Sequence, residues 1–204
     1  MMAFSKGRNE LQASIEDTAS VLISLSEEIN SFYSCKIIAI KDDIRKLQNA
    51  DVEKEELDSM LFPLYQLEEL YNSLYIEAME MIVSKVYSYV EKHLYMICDR
   101  IKYDRKKVAR IYERDNHTGK GSDIEKIFYV INKLYYLEKQ KISDYWSDFV
   151  LFHKLRTYIE HHNNYQKQLV KIEFIISNIN QAKSLLNVIE MSTNHSQVKY
   201  VKYL

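Results

Sequence analysis

Residues 155–164 read LRTYIEHHNN, with Arg156 followed after four intervening residues by His161 and His162. Histidine exchanges protons near neutral pH, because its unperturbed pKa is about 6.5. Arginine keeps its charge and presents planar donors that match a phosphate group bidentately. One of each, brought together, could move a proton at a phosphate ester and stabilise the charge that builds there, without a metal. An ordinary interpretation stands beside this one. Arg156 can pair with Glu160 four residues on, and histidines are electrostatically favoured at the carboxy terminus of a helix. No other stretch of the chain resembles a catalytic motif.

A separation of five residues sets Arg156 and His161 about 140° apart on a regular helix, at ~100° per residue, so they do not share a face. His153, Thr157 and His161 do align, at four-residue steps. Either the helix unwinds near Asn163 and Asn164, or arginine and histidine meet their counterparts across a dimer axis; an isologous two-fold interface would build such a site twice. Metal chelation is disfavoured, since His153 and His161 stand about 12 Å apart along a helix and no HExxH or carboxylate set accompanies them. No cofactor is expected.

Helices must carry these residues, because one Pro and three Gly in 204 residues leave few breakers. Charged residues at 28% and hydrophobic ones at 47% supply enough apolar surface for a folded core rather than a disordered chain. Apolar residues from Leu11 to Leu47 at steps of three and four predict one amphipathic helix over 9–49. A turn in NADVEKEELD leads to a second, over 53–101, whose stripe runs through Leu67, Leu70, Leu74, Ile82, Val86, Leu94 and Ile101. Pro63 fits its first turn, or kinks a helix that starts near Val52. Two such helices joined by a short turn form an antiparallel hairpin. Residues 102–121 break the pattern and read as a basic loop. Three shorter helices follow over 122–190: one opening on a Ser122/Glu125 capping box, one capped by Ser143 or Asp144 and anchored by Trp146, and one from about Asn164, with Asn163 and Gln166 as its capping pair. A tail covers 191–204. The fold class is therefore all-α: a single domain over 1–204, an antiparallel bundle of about five helices, two long and three shorter.

The Arg156–His161 spacing, in an amphipathic helix after DYWSDFVLFHK, resembles the signature helix of the HEPN superfamily, whose motif is an Arg, four to six residues, then a His. Arg110 and His117 satisfy the same spacing but run into a Gly-containing segment. A second likeness lies in YSYVEKHLYMICDRI (87–101), similar to the family's long helix, where an aromatic-rich stretch reaches a glutamate, here Glu91. The likeness covers roughly residues 80–165. Thr157 stands where Asn, Asp or His is common; it is polar but cannot ionise. The resemblance implies a HEPN-like bundle, often dimeric, and a metal-independent endoribonuclease of toxin–antitoxin or anti-phage defence systems. Its implied site is Arg156, His161 or His162, with Glu91 in support. The nucleophile would be the substrate's own 2′-hydroxyl. An antitoxin or a nucleotidyltransferase would be the partner protein. Two alternatives from other classes remain: a non-catalytic HEPN-like module that binds RNA, nucleotide or a partner protein, and a structural helical dimer using the stripe on 11–47.

The net charge of −1 means that any nucleic-acid contact must come from a local patch. Residues 100–120 offer one, with Arg105, Lys106, Lys107 and Arg110 among interleaved tyrosines, suited to tracking an RNA backbone or equally to facing water. No run of about 18 apolar residues could cross a bilayer, and MMAFSKGRNE lacks a secretory apolar segment, so a cytoplasmic, non-membrane protein is expected. Cys35 and Cys98 form no CxxC pair and are expected as buried, reduced thiols.

Overall fold

The computed structural model describes residues 2–115, 120–135, 139–160 and 171–195. The regular structure among them is helical: α1 (Met2–Gln48), α2 (Lys54–Arg100), α3 (Arg105–Asp115), α4 (Asp123–Tyr135), α5 (Lys139–Glu160) and α6 (Ile172–His195). The described residues thus hold six helices, not five.

Helices α1 and α2 form the expected antiparallel hairpin. Its register is pinned by two tyrosine hydroxyls, Tyr89 donating to the Ile15 carbonyl at 3.1 Å and Tyr75 to Asn30 Oδ1 at 3.0 Å. Pro63 lies inside α2, so the helix takes the earlier of the two starts and continues through the proline. The carboxy-terminal half of α2 is the centre of the bundle. Ile82, Val83, Val86, Val90, Leu94 and Ile97 are wholly buried, enclosed by α1, α4, α5 and α6. Full burial of each such side chain is worth about 1.5–3 kcal/mol. Arg100 closes this end, bonding Glu190 Oε1 at 2.7 Å and Thr193 Oγ1 at 3.1 Å on α6.

The other half of the hairpin has only a small core of its own: Ile40, Ile44 and Leu61, with Leu47, Leu57, Leu64 and Tyr71 packed against them. The stripe expected along α2 therefore divides. Ile82 and Val86 are core, whereas Leu67, Leu70 and Leu74 are exposed. The α1 stripe that a structural dimer would have used is already spent within the molecule, with Leu11, Ile15, Leu22, Ile40 and Ile44 buried.

The basic loop expected over 102–121 is corrected to a helix over most of its length. Lys102 adopts φ 64° where α2 ends, and Asp104 Oδ1 caps α3 by accepting from the Lys107 amide at 2.8 Å. Val108, Ile111 and Tyr112, at three- and four-residue steps, give α3 an apolar side that packs on α4, with Tyr112 edge-on to Tyr129 at 5.5 Å. The many charges between them hid that periodicity. The Tyr112 hydroxyl donates to the Lys120 carbonyl, and a Cβ on Gly121 would lie 2.7 Å from that hydroxyl.

Ser122 and Glu125 do form the capping box: the Ser122 amide donates to Glu125 Oε2 at 2.7 Å and the Glu125 amide to Ser122 Oγ at 3.3 Å. Helix α5 begins at Lys139, so Ser143 and Asp144 lie inside it instead of capping it; the preceding Lys–Gln–Lys are good helix formers and continue the turn. Asn163 and Gln166, expected as a cap, lie outside the described residues, as do His117 and 196–204. Helix α6 extends to His195 and takes the first residues of the expected tail. Cys98 is buried, its thiol pushed up to about 12 by desolvation, but Cys35 is exposed on the outer side of α1, which corrects the expectation for that residue. No helix among the described residues is long and apolar enough to cross a membrane.

Candidate functional site

Three side chains of α5 at helical steps of four and three, Phe149, His153 and Arg156, meet Tyr87 of α2. The Phe149 and His153 rings stack on it with centroids 6.3 and 5.2 Å away, and the Arg156 guanidinium carbon lies 4.5 Å from the ring centre. Helix α5 is held there by the neighbouring row, where Phe152 and Leu155 are buried, and by Trp146, which continues the same stripe one turn before Phe149 and stacks on Phe128 of α4 at 3.8 Å. Arg156 itself is half-buried. A guanidinium over a tyrosine face is worth about 0.5–2 kcal/mol, more as it is desolvated.

Tyr87 is buried, and desolvation raises the pKa of its hydroxyl. Ser122 beside that hydroxyl and the charge of Arg156 act in the opposite sense, and Glu91 and Glu125 are close enough to add to the rise. Glu91 is one turn along α2, half-buried, and one further turn brings Tyr95. The same motif repeats there: the Arg105 guanidinium carbon lies 4.0 Å from the centre of the Tyr95 ring. The Tyr95 hydroxyl donates to Asp123 Oδ2 at 2.8 Å, and burial together with that carboxylate raises its pKa. Tyr95, Asp99, Asp104, Arg105 and Lys106 line an open cleft of about 550 Å³.

Two arginine–tyrosine stacks thus lie two helical turns, about 12 Å, apart along α2, with Glu91 between them and the start of α4 alongside. Of the residues expected at the site, Arg156 stacks on Tyr87, and Glu91 stands one helical turn along α2 from that tyrosine. Arg105 and Lys106 border the neighbouring cleft. Lys107 turns away from it, to the Lys102 carbonyl at 3.0 Å, and Arg110 is exposed a turn further along α3. His161 and His162 lie outside the described residues. Of the expected row of His153, Thr157 and His161, the first two pack differently: Thr157 Oγ1 donates to the His153 carbonyl at 2.9 Å, while the His153 ring faces Tyr87.

The sequence argument missed Tyr87 and Tyr95. Their signal was present, since Tyr87, Glu91 and Tyr95 recur every four residues in the segment read as the long helix, but aromatic residues at that spacing also describe an ordinary core face. No group of three or more potential metal-ligating side chains occurs among the described residues. Three of the nearby carboxylates have partners, Glu125 in the capping box, Asp123 with Tyr95, and Asp104 at the head of α3, and Asp99 lines the cleft beside them. The result is a surface on which two guanidinium groups, each over an aromatic ring, stand on either side of Glu91, with Asp99 at the cleft. Such an arrangement suits a ligand with phosphate charge and a stacking base. No family model, no curated protein and no solved structure matches the chain.

Proposed function

We propose that the chain is a cytoplasmic, metal-independent endoribonuclease of HEPN type that acts as a homodimer. The observation that supports this most is the Arg156 guanidinium held 4.5 Å over the Tyr87 ring, one helical turn from Glu91, because Arg156 and Glu91 were singled out from two segments 65 positions apart in sequence. Arg156 clamps the scissile phosphate, its guanidinium steadied by the Tyr87 ring. His161, the next residue after α5 ends, or His162 beside it, takes the proton from the 2′-hydroxyl and returns one to the departing 5′-oxygen. Glu91 orients Arg156 or that histidine and reacts with nothing itself. The family likeness extends the proposal to a toxin–antitoxin or anti-phage defence setting, with an antitoxin or nucleotidyltransferase as protein partner.

The test is incubation of the purified full chain with RNA in the presence of a chelator. Cleavage that leaves 2′,3′-cyclic phosphate ends is expected, with a loss of at least about 100-fold in Arg156→Ala and in His161→Ala/His162→Ala while the helical circular dichroism is kept. Absence of cleavage, or cleavage undiminished in both variants, overturns the proposal.

A second reading is favoured by α3: Arg105, Lys106, Lys107 and Arg110 are all exposed on one short helix. In that case the protein is a non-catalytic RNA-binding module. RNA binding that weakens with salt, falls in Lys106→Ala/Arg110→Ala and occurs without turnover would choose it over the nuclease.

A further inference from the structure

The outer half of the hairpin carries a second apolar row that nothing among the described residues covers. On α2 it runs through Leu67, Leu70, Leu74 and Met81, spaced by three, four and seven residues as in a coiled-coil seam, and on α1 through Leu25, Phe32 and Ala39, spaced by seven. All of them are exposed, Phe32 by 53% and Met81 by 51%. Both rows stand one position ahead of the residues that hold the hairpin together, such as Ser26, Tyr33 and Ile40 on α1 and Glu68, Tyr75 and Ile82 on α2. In an antiparallel pair, the rows one step ahead of the seam lie on the same side of it. The register set by Asn30–Tyr75 and Ile15–Tyr89 brings Leu25 level with Met81, Phe32 with Leu74 and Ala39 with Leu67, each to within about one residue. The other flank of the seam is taken at the bundle end by α6, where Asn187 and Lys183 bond Glu16 at 2.8 and 3.3 Å.

We propose that this face is where two copies of the chain associate, hairpin against hairpin, as a four-helix bundle about a two-fold axis. Three observations select a second copy as the occupant. First, with Val21 and Leu70 at its edges, the face exposes roughly 600–700 Å² of apolar-residue surface, above what a monomer commonly leaves in one patch and near the ~800 Å² per partner of a standard interface. Second, the level pairs themselves carry no charge, while Lys36 reaches over the Phe32 ring at 5.8 Å and Glu28 and Glu77 stand at the outer margin, so the face offers charges of both signs and suits a second copy better than a partner of one sign. Third, two antiparallel helices bearing matched rows make a face that a two-fold axis can present to itself, the arrangement of an isologous bundle interface. This names the surface of the homodimer but does not rest on RNA cleavage, and it lies apart from the Arg156–Tyr87 contact.

The experiment is sedimentation of the full-length chain at micromolar concentration, with maleimide labelling of Cys35, which is exposed beside Phe32, while Cys98 is buried. The wild type should sediment as a dimer with a slowly reacting Cys35. Leu74→Glu should weaken association at least about a hundredfold and release the thiol, with helicity unchanged. Phe62→Ser, at an exposed phenylalanine off this face, should leave the dimer intact. A dimer that survives Leu74→Glu overturns this surface, although the nuclease could still be dimeric through another. A monomeric wild type with a freely reacting Cys35 overturns the second-copy proposal. So does a monomer with a shielded Cys35, which would assign the face to another part of the same chain.

Discussion

Helix α2 lives in two environments. Around Ile82 to Ile97 it is enclosed by four other helices, while around Leu57 to Tyr71 its small core is shared with α1 alone. The helical pattern is similar in both halves, and the difference lies in how many faces find a partner. A helix with one partner has one buried seam, so further apolar residues remain in water until something else covers them. The enclosed half also holds polar groups where they must be satisfied internally, as His93 and the Tyr87 cluster show. In the outer half most polar side chains face solvent, and the pairs that cross the hairpin, Lys41–Glu68 and Gln48–Tyr65, keep contact with it. Most of the buried core and the candidate site therefore reside at one end of the molecule, and the exposed apolar row at the other.

The largest effect that could break this contrast comes from deleting core volume in each half. Phe152 is wholly buried on α5, and Phe152→Ala should cost about 3–5 kcal/mol and lower the melting temperature of the whole domain. Leu61 anchors a cluster of only three buried residues, and Leu61→Ala should cost less, about 2–3 kcal/mol, because the tip can collapse around the gap. Amide hydrogen exchange separates the two: the second variant should speed exchange near residues 40–64 and leave 82–98 protected. Equal acceleration in both segments under Leu61→Ala would show that the hairpin and the bundle unfold as one.

How much of this was legible in the sequence follows from the same contrast. Both long helices were legible, because scarce Gly and Pro leave apolar periodicity as the controlling signal. The Ser122–Glu125 box was legible because capping depends on adjacent residues only. Helix α3 was not, since a run of Arg and Lys outnumbers Val108, Ile111 and Tyr112, and only α4 packing on that side makes them count. The division of the α2 stripe was equally hidden. Leu67, Leu70 and Leu74 have the same spacing as Val83, Val86 and Val90, and periodicity identifies an apolar face without saying how many neighbours it has. At the candidate site, Arg156 could be picked by type and spacing, and Glu91 only through the family likeness. Tyr87, on which Arg156 stacks, could not, because that contact is set by how α5 lies across α2.

A pH profile sharpens the contrast next. His93 is fully buried between α1 and α2, its Nδ1 bonded to the Tyr89 carbonyl at 2.8 Å and its Nε2 to Ser14 Oγ at 3.1 Å. With Nδ1–H donating and Nε2 accepting the serine proton, the neutral imidazole satisfies both contacts. Desolvation lowers its pKa, helped by the charge of Lys92, while the two hydrogen bonds act the other way. The folded state thus binds this proton less readily than the unfolded chain does. The associated stability is complete above the unfolded value of about 6.5 and is lost as pH falls below it through the depressed folded value. Chemical denaturation between about pH 7.5 and 5, the histidine range, should show stability declining, and His93→Gln should flatten that decline at a lower plateau. An unchanged slope in the variant would assign the acid sensitivity to other groups.

The smallest expected effect is one of sign. Ser122 caps α4 at the enclosed end, its hydroxyl accepting from the Glu125 amide, whereas Ser59 lies inside α2 in the outer hairpin and its hydroxyl donates back to the Glu56 carbonyl at 2.7 Å. Removing a cap hydroxyl leaves an amide without its partner, so Ser122→Ala should destabilise by about 1 kcal/mol. Removing a hydroxyl that only bonds its own helix frees nothing that water cannot satisfy and substitutes a better helix former, so Ser59→Ala should be neutral or stabilise by a few tenths of a kcal/mol. Ser122 also stands beside the Tyr87 hydroxyl, so its alanine variant should perturb the near-ultraviolet tyrosine circular dichroism, which Ser59→Ala leaves alone. Paired denaturation curves read both signs. If the two substitutions cost the same, the cap and the exposed hairpin serine are energetically alike, and the enclosed end owes its order to packing alone.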